Sequence, residues 1–385
     1  MIDLYHIQQK PRQEAYIREL LADYSQNTSP EQAALQRCEA ASLQLTELNN
    51  ETKAAQLYET VLYYNPEHKQ ALEKLENIWF NKHSFEKLIN LYEMICLRIT
   101  NPKDLISLHT KAAEIAENDL EDFERATKHY EQILKFQRDH VHAMQRLEAI
   151  YLLDQAWSSL IVLYEHKLQV TENKEEQINI LYNQANIYDQ QLHWEQPALR
   201  NYRKILTISP HNLKTLVAME TLCRENKLYI PLVECLEEKL KTIKNIPENQ
   251  ATRQEIYYEL GTLCSLQADN PTKAIHFYQE VTKIDPDHLP SWQALHRQYL
   301  IVSDYKTLSE VITKEIELST NNDEIIRLLN ELAEICELQL NQPEVAIASL
   351  EQIIEIEPKN ENAFQKLETL YTRAQDHDAL LKIWE

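Results

Sequence analysis

The chain has 385 residues, a net charge of −22 at pH 7 and a single glycine. One glycine cannot build glycine-rich phosphate loops, dinucleotide-binding turns or the tight hairpins of antiparallel sheets, so these classes are excluded. The negative charge disfavours binding to nucleic acid or to an anionic membrane surface, and it favours neutral or basic partners. Leu, Glu, Gln, Ala and Lys dominate, all strong helix formers, so an all-α protein is expected.

No apolar run reaches the length of a membrane-spanning helix, and the N-terminal stretch lacks the pattern of a secretory signal. The sequence therefore predicts a cytoplasmic protein without membrane insertion. The cysteines are scattered and form no C-x-x-C motif, so they are interpreted as reduced, small apolar core residues. They are Cys38, Cys96, Cys223, Cys235, Cys264 and Cys336.

The first amphipathic segment is AYIRELLADY, residues 15–24, and a longer repeat follows it. Five segments align residue by residue at a nearly constant period, with one longer step between the third and the fourth. The units start near Ala54, Ala126, Ala198, Ala274 and Ala346. AYIRELLADY matches the third segment of a unit, as does HDALLKIWE at the C-terminal end, so partial units are expected at both ends.

Each unit is predicted to form four helices, because apolar residues recur at steps of three and four. In the second unit these are ATKHYEQILKF, AMQRLEAIYLL, SSLIVLYEHKL and QINILYNQANIYDQQL. A proline follows the first helix in four units and ends it. A polar residue then opens the second helix, which explains the following column as helix caps and not as metal ligands. The column holds His68, His140, Asn212, His288 and Asn360.

With two helix pairs in each unit, the length of one pair is close to the roughly 34 residues of a tetratricopeptide repeat. In that family an alanine opens the second helix of a pair, an aromatic residue follows four later, and a proline comes eight after that. Ala198, Tyr202 and Pro210 fit this pattern. The chain resembles the family over about residues 11–385. The resemblance implies a right-handed α–α superhelix of about 21 helices, a single continuous solenoid over residues 1–385.

The only glycine, Gly261, falls in a column of small residues where the two helices of a family pair cross most closely. The column is Ala41, Ala113, Ala185, Gly261 and Ala333. Gly261 is therefore interpreted as a packing residue, the alternative being a tolerated glycine with a local kink. In the other helix pair of each unit, glutamate or histidine replaces the small residue, which predicts wider spacing or a rotated face. These residues are Glu76, Glu148, Glu220, His296 and Glu368.

In the family, the first helix of each pair lines the concave face of the array. Carried over to the ordinary pairs, this face would hold tyrosine and asparagine side chains suited to an extended peptide, and glutamates that favour neutral or basic segments. The alternative is ordinary polar helix surface. The predicted binding residues are Thr110, Glu114, Glu117, Tyr182, Asn183, Asn186, Asp189, Tyr258, Glu259, Thr262, Ser265, Asn330, Glu334 and Glu337.

No catalytic constellation, metal-ligand spacing or cofactor motif is visible, so a non-catalytic protein-interaction scaffold is predicted. One alternative is an assembly component that self-associates end to end through uncapped termini, including Leu380, Ile383 and Trp384. Another is a regulatory or targeting region of a larger enzyme, with the chain continuing beyond this segment. Four extra residues in the third unit fall near residues 243–250, and are interpreted as a neutral loop or as part of a binding face.

Overall fold

The computed structural model describes residues 2–244, 246–267, 269–376 and 379–380. Within these residues the secondary structure is helical, with no β-strand. The helices are α1 Ile2–Ile7, α2 Pro11–Ser25, α3 Pro30–Thr46, α4 Glu51–Tyr64, α5 Lys69–Asn81, α6 Phe85–Cys96, α7 Pro102–Asn118, α8 Phe123–Phe136, α9 Val141–Leu153, α10 Trp157–Val170, α11 Lys174–Asn186, α12 Glu195–Ile208, α13 Leu213–Glu225, α14 Tyr229–Thr242, α15 Gln250–Leu266, α16 Pro271–Ile284, α17 Leu289–Val302, α18 Tyr305–Leu318, α19 Asn322–Leu338, α20 Pro343–Ile356 and α21 Glu361–Ala374. These 21 α-helices of the described chain confirm the all-α fold and the expected number of helices.

One predicted helix is interrupted. The segment QINILYNQANIYDQQL was expected to be a single helix, but α11 ends at Asn186 and Ile187–Gln191 forms a π-helical turn. The turn widens because the Leu192 N–H donates to the Ile187 carbonyl, five residues back, at 3.1 Å.

The helices group into two compact units, Met1–Ile180 and Leu181–Glu385, with the boundary inside α11. Within each compact unit, helices that follow one another in sequence pack against each other, apart from α11. Odd-numbered helices from α3 onward are the first helices of a pair, and even-numbered ones the second. The single continuous solenoid stays a prediction.

The turn inside each helix pair contains one residue with a left-handed backbone, and none of these residues is glycine. Their spacing alternates between a shorter and a longer step along the chain, and the longest step spans the insertion. They are Asn49, His83, Glu121, Gln155, His193, Lys227, Asp269, Ser303, Asn341 and Gln375. A left-handed backbone at a residue other than glycine destabilises the fold by about 1 kcal/mol. These turns therefore carry a backbone strain that glycine would relieve.

The predicted capping column is confirmed. His68 and His140 each accept a hydrogen bond through Nδ1 from a backbone N–H three residues on, at 3.2 Å. Asn212 and Asn360 do the same through their amide oxygens. His288 departs, because its Nδ1 lies 2.8 Å from the Ser291 hydroxyl instead.

Gly261 is buried in the interior of α15 and has no left-handed backbone, so it is not a turn residue. A Cβ atom built there would lie 2.6–2.8 Å from three ring atoms of Tyr278 on α16. This contact is closer than van der Waals packing allows, and it confirms that Gly261 makes room for a neighbouring helix.

The cysteines of the described chain are free thiols, as expected, and all but the half-buried Cys96 are buried. Burial raises the pKa of Cys38 and Cys223 to about 11, so these thiols remain protonated at neutral pH.

The four extra residues lie where they were predicted. The connection from α14 to α15 contains a short 3-10 turn, Pro247–Asn249. Arg253 of α15 holds the start of this connection, donating through Nη1 to the carbonyls of Leu240 (3.2 Å) and Ile243 (2.9 Å).

Candidate functional site

The first helices of the pairs carry every predicted binding residue except Asp189, which lies in the π-turn after α11. The side chains of these residues fall into different environments. In the first compact unit these residues lie on α7. Glu114 is exposed, whereas Thr110 is half-buried and its hydroxyl donates to the Ile106 carbonyl at 2.8 Å. Only Glu114 is therefore open to a partner without rearrangement.

Glu117, also on α7, is an internal brace. Its side chain is buried and accepts hydrogen bonds from the Tyr130 hydroxyl (2.9 Å) and from Nε of Arg146 (3.0 Å), with a second bond from Nη2. Burial and the neighbouring carboxylate raise the pKa of Tyr130 above its usual range. Glu117 joins α7, α8 and α9, and its carboxylate is already satisfied.

The atypical helix pairs use charge where the ordinary pairs use a small residue. Glu148 of α9 accepts hydrogen bonds from the Tyr164 hydroxyl (2.8 Å) and from Lys167, both on α10. Glu220 of α13 accepts from Lys239 of α14 at 2.7 Å. These long side chains span the gap between helices. The ordinary pairs, apart from α11 with α12, pack more extensively, in line with the wider spacing predicted.

In the fourth repeat unit the charges of this ion pair are exchanged between the two helices. His296 of α17 stands in the glutamate column, and Glu315 of α18 stands in the lysine column. His296 donates from Nδ1 to Glu315 (2.8 Å) and from Nε2 to Glu331 of α19 (3.0 Å). Burial opposes a charge on His296, but the hydrogen bonds and charges of these two glutamates raise its pKa to about 9. The imidazolium therefore persists at neutral pH.

A cleft of about 550 Å³ lies between α5 and α7 in the first compact unit. Both helices are the first of their helix pairs. Its apolar lining includes Leu72, Ile95, Ile99 and Leu108. The ion pair between Lys111 and Glu76 (2.7 Å) separates it from a second cleft of about 390 Å³ that reaches Glu114. The charged residues that line the two clefts are mostly acidic: Glu67, Glu73, Glu76, Asp104, Glu114 and Asp119 against Lys69 and Lys111.

In the second compact unit, α11 and the π-turn that follows it carry four of the predicted binding residues. Tyr182 is half-buried, with the Lys214 ammonium 4.0 Å from its ring centroid, whereas Asn183 is exposed. Asn186 accepts a hydrogen bond from the Tyr202 hydroxyl at 3.3 Å. Burial, and next the charge of Glu225, raise the pKa of Asp189.

The four predicted residues on α15 are half-buried and partnered. The Tyr258 ring meets the rings of Tyr278 (5.7 Å) and His288 (5.3 Å) edge-on. Glu259 accepts two hydrogen bonds from Arg224, at 2.6 and 2.9 Å. In the same helix, Thr262 accepts from the Tyr278 hydroxyl at 3.3 Å, and Ser265 accepts from the Gln298 amide at 2.7 Å.

On α19, Glu334 is exposed, and Glu337 accepts from Arg373 at 2.6 Å. The Asn330 amide nitrogen donates to the Ile326 carbonyl at 2.9 Å, while its Oδ1 is buried without a hydrogen-bond partner among the described residues. Of the fourteen predicted residues, three are exposed: Glu114, Asn183 and Glu334. Most of the others bind neighbouring helices.

The described residues contain no group of three or more His, Cys, Asp or Glu side chains placed to hold a metal ion. In the same part of the chain, no helix is both long and apolar enough to cross a membrane.

The family model of the tetratricopeptide repeat matches residues 254–288 and 326–360. These two stretches are ordinary helix pairs, built from α15 with α16 and from α19 with α20. The two matched stretches are therefore helix pairs of the tetratricopeptide type, within a chain whose described residues form a helical repeat array.

A curated relative is the Drosophila melanogaster "BBSome complex member BBS4 homolog", 21% identical over 313 residues. The aligned region covers 80% of this chain and 61% of that protein, so the chain spans about three-fifths of the relative's length.

Solved structures of similar sequence include MamA, at 19% identity, covering 46% of this chain and 96% of that chain with a TM-score of 0.28. They also include YrrB, described as a TPR protein with an unusual peptide-binding site, at 15% identity. That match covers 53% of this chain and 96% of that chain, with a TM-score of 0.29.

Proposed function

We propose that the chain is a non-catalytic scaffold that binds a protein segment on the face formed by its first helices. The main support for this proposal is the pair of clefts between α5 and α7, which are lined by apolar side chains and by charged side chains that are mostly acidic. Apolar anchors of a partner can fill the clefts, while lysine or arginine beside them meets the rim carboxylates. The partner is therefore a neutral or basic segment.

The relative from Drosophila melanogaster is named as a member of a complex. That name supports a role for this chain inside a multiprotein assembly, with the first-helix face holding another subunit. Tyr182 and Tyr258 supply aromatic contact area on the corresponding face of the second compact unit.

A second candidate is assembly through the face of α2. Tyr16, Leu20 and Tyr24 follow one another at four-residue steps, and all three are exposed. Tyr16 and Leu20 occupy the repeat columns of Leu88 and Tyr92, which are buried in the next unit. This stripe can pack on another helix, whereas Ile383 and Trp384, the other predicted end contacts, lie outside the described residues.

The experiment is affinity capture with quantitative mass spectrometry. The chain is compared with the variant Glu73→Lys/Glu114→Lys, which reverses two exposed carboxylates that line the clefts, and with Tyr16→Ser/Leu20→Ser/Tyr24→Ser, after circular dichroism shows that each is folded. Loss of a partner from the first variant alone supports the first-helix face. Loss from the second alone supports assembly through α2, and unchanged capture by both contradicts both sites.

A further inference from the structure

In the first compact unit, α4 and α6, the second helices of their pairs, form a surface that the function proposed above does not use. A cleft of about 560 Å³ lies between α4 and α6, with Leu91 and Trp79 buried in its lining. Tyr63 and Tyr64, at its edge, are exposed at 58% and 54%, and they pack edge-on with ring centroids 5.2 Å apart.

Residues from the end of α6 and just beyond it extend this surface. The Arg98 guanidinium lies 5.1 Å from the Tyr63 ring centroid, donates to the Tyr63 carbonyl and reaches the Met94 sulfur at 3.9 Å. Leu97 beside it is 88% exposed. We term Tyr63, Tyr64, Met94, Leu97 and Arg98 the outer aromatic surface.

Comparison of the repeat units shows that the apolar residues of this surface are not needed for helix packing. At three of its positions, the other units carry polar or charged residues in the same helices, so the fold does not require apolar side chains there. Tyr63 corresponds to Lys135, Thr207, Lys283 and Glu355; Met94 to His166, Glu238 and Lys314; and Leu97 to Gln169, Lys241 and Glu317. Exposed apolar residues clustered at otherwise polar positions indicate a binding surface.

The charge of the surface is opposite to that of the protein. Lys87 lines the cleft, and Arg98 borders it through its contact with Tyr63. Glu59 is the single carboxylate among the residues that line the cleft; burial raises its pKa, and the charge of the nearby Lys87 opposes that rise. The nearby carboxylates Glu86 and Glu93 are both bound by Arg125. Lys87 and Arg98 thus give this surface two cations against the one carboxylate of Glu59, on a chain of net charge −22.

We propose that the outer aromatic surface binds an acidic peptide segment of a partner protein, with aromatic or aliphatic anchor residues between its carboxylates. The anchors fill the cleft beside Tyr63 and Met94, and the carboxylates meet Lys87 and Arg98. This partner is opposite in charge to the segment proposed for the first-helix face, so one unit can hold two different segments on its two faces.

The test screens a phage-displayed library of random dodecapeptides on the full chain. It counter-screens the variant Tyr63→Thr/Met94→His/Leu97→Gln, which takes its three residues from the same columns of the next two repeat units, adds no permanent cation, and is therefore expected to fold. Val162→Asn is the matched control, since Val162 is an exposed apolar residue on α10 and Asn90 is its equivalent in the first unit. The expected peptides carry Asp or Glu beside an apolar anchor, bind the variant at least about tenfold more weakly, and retain binding to the control.

Binding of these peptides should also fall with added salt and in Lys87→Glu/Arg98→Glu. The proposal is overturned if no enriched peptide distinguishes the triple variant, or if those that do are basic or uncharged. Analytical sedimentation of the full chain tests whether a second copy of the chain occupies this surface. Self-association that the triple variant abolishes would make the surface an interface between copies and would also overturn the proposal.

Discussion

Replacing Gly261 with alanine should destabilise the protein, although alanine is the better helix former. The added Cβ would lie 2.6–2.8 Å from the ring of Tyr278, which is buried and also contacts Tyr258. Overpacking of this kind costs about 1–3 kcal/mol, and displacing the Tyr278 hydroxyl from Thr262 costs about 1 kcal/mol more. The helix gains about 1 kcal/mol from alanine, so a net loss of about 2 kcal/mol is expected.

The assay is urea unfolding of the full chain with hydrogen exchange resolved over α15 and α16, since repeat arrays can open locally. Two controls separate the causes. Gly261→Ala with Tyr278→Leu copies the ordinary pair of α19 and α20, where Ala333 and Leu350 occupy these columns, and should recover stability. Ala185→Gly should lose about 1 kcal/mol from helix propensity alone. A Gly261→Ala variant more stable than the wild type would refute the packing account and favour the tolerated glycine.

Two further changes test the turns and the ion pairs. Glu121→Gly should raise the free energy of unfolding in urea by up to about 1 kcal/mol, because glycine relieves the left-handed backbone at that turn; an unchanged or lower value would contradict the strain. The raised pKa of His296, about 9 when folded, stabilises the protein fully below pH 6.5 and less as pH rises towards 9, by at most about 3 kcal/mol. His296→Gln should flatten unfolding stability over that window, and an equally steep profile in the variant would assign the dependence elsewhere.

Local features of the fold were predictable because they depend on residues close in sequence. The His68 and His140 caps follow from a polar residue three positions before a helix amide. The packing role of Gly261 followed from its column and the family resemblance. The π-turn at Ile187–Gln191 was not predictable, since its unit has the same length as the unit before it.

Partners across helices were the part that periodicity missed. Glu117 was expected to face a ligand, yet it binds Arg146, which lies two helices further along the chain. Helical periodicity shows which face of a helix is covered, but it does not show which distant side chain pairs with a carboxylate. One signal was present in the sequence: the inversion from Glu148 with Lys167 to His296 with Glu315 marks a contact between two columns.

Site-specific photo-crosslinking tests the scaffold account most directly. A benzophenone side chain is placed at Asn183 or Glu334, which are exposed on first helices, or at Ile230, which is exposed on the second helix α14. Irradiation in cells is followed by identification of the covalent adducts. Adducts with a partner protein are expected at Asn183 or Glu334, and none at Ile230. Adducts at Ile230 alone would contradict binding on the first-helix face.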